Sequence, residues 1–155
     1  MGMPDELGFR DREVELKDFE NLKESYPAEL YPHLLKAKEL YLNLISVYDK
    51  KMLIHGGAHS YNIISCGEDT YKVVKPAAVI GDPIFDAGAF IFGECCYYGK
   101  KLAEPETAEK IIDYLEKSLN IPNKILRQSF YITTIRCYQG IDRANLAESV
   151  LNKGK

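Results

Sequence analysis

The chain has 155 residues, 46% hydrophobic and 28% charged, which is enough to bury a core without disulfides or a structural metal and too apolar for a wholly disordered chain. Its formal charge is −3 at pH 7, and its Lys and Arg residues are scattered, so no basic stripe is present for nucleic acid. No apolar run of about 18 residues exists to cross a membrane, and the start MGMPDELGFRDREVE is unlike a signal peptide, so a cytoplasmic protein is expected.

In chain order, residues 1–20 read as a loosely packed, acidic start and residues 21–155 as a single domain without internal repeats. From Pro32 the stripe Leu34, Ala37, Tyr41, Leu44, Ile45 and Tyr48 follows helical spacing and predicts a helix over about 32–49, with proline in its first turn. A short apolar run, 52–54, ends at His55-Gly56-Gly57, where two glycines permit an unusual backbone. Two strand-like runs, 62–65 and 71–74, flank Cys66-Gly67-Glu68-Asp69-Thr70 and predict a hairpin.

Asp82-Pro83 reads as a helix start, Asp as cap and Pro first in the helix. The body that follows is apolar on all sides apart from Asp86, as in a helix buried within the domain. Further helices are predicted over about 105–119, 122–138 and 142–152, with Gly140 separating the last two. The four cysteines, Cys66, Cys95, Cys96 and Cys137, lack zinc spacing and read as reduced, buried thiols.

Residues 53–90, LIHGGAHSYNIISCGEDTYKVVKPAAVIGDPIFDAGAF, are less generic. They resemble the catalytic and metal-binding segment of the aminoglycoside phosphotransferase family, most closely its streptomycin and hydroxyurea kinase branch. That branch typically reads LLHGDLHxxNVL, a short hairpin, then IDPxxxxGDPxxD. The matching residues are His55, Gly56, His59, Asn62, Pro76, Gly81, Asp82, Pro83 and Asp86, and weaker likeness extends over roughly residues 20 to 150. The resemblance implies an α+β, mainly helical fold, a protein-kinase-like C-terminal lobe with a small β-hairpin element. It also implies ATP and Mg²⁺ as cofactors and a small-molecule alcohol as acceptor.

Two departures bear on chemistry. Phosphoryl transfer needs a group to take or orient the hydroxyl proton and a cation held on the phosphates. The family's catalytic Asp aligns with Gly57, which has no side chain, and its main metal-binding Asp aligns with Lys75. An ammonium repels a cation: at about 4 Å and an effective dielectric near 20, two unit charges cost about 4 kcal/mol. By resemblance, His55 supports the catalytic loop, His59 lies beside the catalytic position, and Asn62 is the secondary metal ligand. The resemblance also implies that Asp86 accepts backbone N–H bonds from the loop as a buried scaffold carboxylate, while Asp82 is expected to serve as a helix cap.

The family's amino-terminal lobe, with its phosphate-covering loop and lysine, precedes the segment matched here, and nothing in residues 1–31 reads as a glycine-rich loop between strands. The expectation is therefore a degenerate or truncated small-molecule kinase relative, inactive alone and holding no cofactor by itself. Two alternatives stand beside it: a non-catalytic module that binds a small molecule or a protein, and an active kinase completed by a separate amino-terminal lobe. A homodimer is a further candidate partnership, because apolar surface left by an absent lobe would seek cover.

Overall fold

The computed structural model describes residues 12–96, 101–137 and 140–154; side chains are described from residue 17 onward. It is mainly helical, with two small antiparallel strand pairs. Helix α1 spans Arg12–Ser25, a 3₁₀ turn covers Ala28–Leu30, and α2 follows over Tyr31–Val47. Strand β1 (Met52–Ile54), a 3₁₀ turn (Ser60–Asn62), β2 (Ile63–Gly67), β3 (Thr70–Val73) and β4 (Val79–Gly81) form the middle. Helices α3 (Ile84–Cys95), α4 (Pro105–Leu119), α5 (Asn123–Arg136) and α6 (Ile141–Lys153) complete the chain.

The segment expected to pack loosely is helical where it is described. Residues 1–11 lie outside those described; Phe19 is buried and its ring meets Tyr41 at 5.7 Å. Among the side chains described on α1, Phe19 and Leu22 turn to the core, and the periodicity of the segment is faint. Tyr26 fastens the end of this segment by donating its hydroxyl to the carbonyls of Ile135 and Arg136 at 3.1 and 2.8 Å.

Helix α2 buries Leu34, Ala37, Tyr41 and Leu44, four positions of one helical stripe. It packs on α5, which also meets α3, α4 and α6. The polar residues Arg127, Ser129 and Thr134 of α5 are buried, each with a hydrogen-bond partner, as burial of polar groups requires. Arg127 joins three helices: its guanidinium forks onto the Glu109 carboxylate of α4, one nitrogen reaching Oε1 at 2.7 Å, and it also donates to the Val150 carbonyl of α6 at 2.7 Å. The Glu109 carboxyl is held below its ordinary range chiefly by this hydrogen bond, with burial working against it.

The crossing of α3 and α5 depends on Gly88. A Cβ there would fall 2.2 Å from Ser129 Oγ and 2.7 Å from the Ser129 carbonyl atoms, so only glycine admits this approach. Ser129 returns a hydrogen bond to the Ile84 carbonyl at 2.8 Å.

β1 pairs with β4 in the register Met52↔Gly81, Leu53↔Ile80 and Ile54↔Val79, a pairing not foreseen in the sequence. The predicted hairpin is present as β2–β3, with a turn tighter than expected because pairing continues to Gly67↔Thr70. It is thus an excursion from a clasp made by β1 and β4. Among the cysteines, Cys95 and Cys96 are buried, whereas Cys66 and Cys137 are exposed, contrary to the expectation of four buried thiols. No described helix is long and apolar enough to cross a membrane.

Candidate functional site

The loop that leaves β1 is shaped by two constraints. Gly56 has φ +75°, and a Cβ there would lie 2.8 Å from Val79 Cγ2, so both backbone and space select glycine. The adjacent amides are turned toward α3, where Asp86 Oδ2 accepts the His55 N–H at 2.8 Å and Oδ1 accepts the Gly56 N–H at 2.7 Å. Charge-assisted bonds of this kind are stronger than neutral ones and satisfy donors that the loop leaves without a strand partner. Asp86 is half-buried rather than fully buried, because α3 presents that position at the edge of the bundle.

His55 locks the loop from inside. Its Nε2 lies 2.8 Å from the Val74 carbonyl, and its Nδ1 accepts the Gly57 N–H at 3.3 Å. Both bonds are satisfied together by the neutral ring with the proton on Nε2. The His55 carbonyl in turn accepts the Ala77 N–H at 2.7 Å, which ties the loop to the segment before β4.

Asn62 closes the loop on itself. Its Nδ2 donates to the Gly57 carbonyl at 2.9 Å and stands 3.2 Å from His59 Nε2. Its backbone accepts the Val74 N–H at 2.7 Å and donates to the His59 carbonyl at 2.8 Å. The structure therefore gathers His55, Gly57, His59, Asn62 and Asp86 into one hydrogen-bonded unit. Glu94, not singled out in the sequence, supports the same unit by accepting the Ser60 N–H at 3.0 Å. A second acid on a mostly apolar helix, two turns after Asp86, was the available signal.

Asp82 and Lys75 stand apart from this unit. Asp82 is buried and accepts the Ile84 N–H on Oδ1 at 3.1 Å and the Lys50 N–H on Oδ2 at 3.3 Å. It bonds into the first turn of α3 as a cap would, although the helix begins at Ile84, one residue later than expected. Lys75 is exposed and has φ +54°, a left-handed conformation uncommon for a side-chain-bearing residue.

The donor set does not fit a magnesium ion bound between phosphates. Such a site wants carboxylate and amide oxygens converging on one point. Both Asp86 oxygens are engaged by amides, both Asp82 oxygens are likewise engaged, and the aligned ligand position is a lysine. Among the described residues no group of three or more His, Cys, Asp or Glu side chains could hold a metal ion.

No protein-family model matches the chain, and no curated protein or solved structure matches it.

Proposed function

We propose that the chain is a degenerate relative of the aminoglycoside and hydroxyurea phosphotransferases, a kinase-like carboxy-terminal lobe that does not transfer phosphate by itself. The observation that carries this reading is the clamp of Asp86 on His55 and Gly56, because it preserves the framework of a catalytic loop while Gly57 leaves its acid position empty. The order strand, loop, hairpin, strand, helix from β1 to α3 supports the same descent. Lys75, and the absence of a converging carboxylate set among the described residues, speak against transfer. Losing a general base alone costs about 10²–10⁴-fold in rate.

Calorimetric titration with ATP and Mg²⁺ tests the proposal. Neither hydrolysis nor micromolar binding is expected from the isolated chain. A metal-dependent micromolar Kd, or turnover with an alcohol acceptor, would overturn it.

A further inference from the structure

Beside the loop, a cleft of about 510 Å³ opens between α1, the end of α5 and the β1–β4 clasp, and it reaches Gly56. That volume is in the range of small-molecule sites. Ile54, Val79 and Phe85 line it with apolar side chains, while Asn21 and Thr133 stand among its lining residues as neutral hydrogen-bonding groups.

The charge balance restricts the ligand. Among the described residues two charged side chains line the cleft, Asp18 and Arg136, and they face each other at 3.8 Å. The Arg136 guanidinium also lies 5.8 Å from the centre of the Phe19 ring. An anion drawn to Arg136 would meet the Asp18 carboxylate beside it, and a cation would have to draw Asp18 away from Arg136. Either displacement gives up an interaction already made, whereas an uncharged ligand leaves the pair in place.

We propose that this cleft binds a small uncharged molecule with an apolar ring and hydroxyl or amide groups, the ring against Ile54, Val79 and Phe85 and the polar groups toward Asn21 and Thr133. This ligand class gives the small-molecule-binding alternative a definite chemistry, and it requires neither nucleotide nor metal.

Cys137 lines the cleft and is exposed, and Cys66 is exposed on β2, so the two thiols give a footprint with an internal control. Alkylation by iodoacetamide, followed at each cysteine by mass spectrometry, is compared with phenyl glucoside, phenyl phosphate and phenethylamine, which share a ring and differ in charge. Phenyl glucoside is expected to slow modification of Cys137 severalfold and to leave Cys66 unchanged, with little effect of the other two. Ala77→Trp, at an exposed position on the cleft wall, should remove that protection, and Thr133→Val should weaken it, with circular dichroism confirming the fold. Equal or stronger protection by the phosphate or the amine overturns the charge assignment. Absence of protection by phenyl glucoside, or protection unchanged in both folded variants, overturns the site. The assay contains no ATP or Mg²⁺, so its failure is distinguishable from failure of the phosphotransferase reading.

Discussion

Asp86 holds the loop after β1 with both of its oxygens, one on the amide of His55 and one on the amide of Gly56, at 2.8 and 2.7 Å. Changing Asp86 to Ala leaves two loop donors without their charged acceptor. A destabilisation of about 1–3 kcal/mol is expected, toward the lower end where water reaches the half-buried site. Denaturant unfolding measures it, and hydrogen exchange at His55 and Gly56 should accelerate in the same variant. Wild-type stability together with unchanged exchange would contradict the clamp.

At the α3–α5 crossing, Gly88→Ala places a methyl group where Ser129 already stands. The two helices must move apart, at a cost of about 1–3 kcal/mol typical of overpacking. Thermal unfolding should show a lowered Tm, and a neutral result would mean that the helices cross at a greater distance.

Gly57→Asp with Lys75→Asp tests whether two side chains alone silence the loop. The first change has room, since a Cβ at Gly57 meets only Asn62 Nδ2 and His55 Nδ1, both at 3.9 Å. The second removes a positive charge from a left-handed position that Asp tolerates comparatively well. The double variant is expected to gain millimolar Mg²⁺ affinity but no measurable kinase activity toward aminoglycosides or hydroxyurea. Transfer also requires the phosphate to be held in line with its acceptor, and the described residues before β1 form helices rather than a strand-and-loop phosphate cover. Phosphorylation of an acceptor in a radiolabelled ATP assay would refute this expectation.

Stability should fall at both ends of the pH scale for different reasons. Burial, with Cys95 adding to it, raises the Cys96 thiol from 9.0 to about 12, and burial raises Tyr131 above its ordinary value of 10.0. Both groups favour their neutral forms in the fold, so their contribution is complete below pH 9. It is lost as pH rises from there through about 12, while the unfolded chain ionises first. Glu109 has the opposite sign: its contribution is present above its ordinary value of 4.5 and is lost as pH falls through its lowered folded value. Urea midpoints across pH check both arms, and Arg127→Met should flatten the acid arm.

The same burial predicts native thiol reactivity. Only Cys66 and Cys137 should react with Ellman's reagent before unfolding, Cys137 the more slowly because its desolvated surroundings raise its thiol above the ordinary value of 9.0, and all four should react afterward. Rapid native reaction of Cys95 or Cys96 would show that the end of α3 opens readily.

The helices of strong periodicity were legible: the stripe from Leu34 to Leu44 and the amphipathic run from Ala108 to Leu115 each gave an element close to its observed bounds. Less legible were elements whose signal is tertiary. Among its described side chains helix α1 turns Phe19 and Leu22 to the core, and three-residue β4 has meaning only opposite β1. Helix α5 is enclosed although it carries Arg127, Ser129 and Thr134, because the first two find partners on α4 and α3 and Thr134 bonds the Phe130 carbonyl one turn back, which no periodicity reveals. At the site, Gly56, Asn62 and Asp86 stood out by resemblance and meet through the backbone. The supporting place of Glu94 and the left-handed conformation of Lys75 could be seen only in three dimensions.

The pairing of β1 with β4 separates two kinds of change the protein can undergo. Residues 55–78 leave and return through adjacent strands, so the excursion is fastened at its base while the helices make most of the core. Side chains along it can be exchanged at small cost to the bundle, provided that His55 and Asp86 keep the base closed. Chemistry carried on such a loop can be discarded, or acquired anew, without the chain having to find another way to fold.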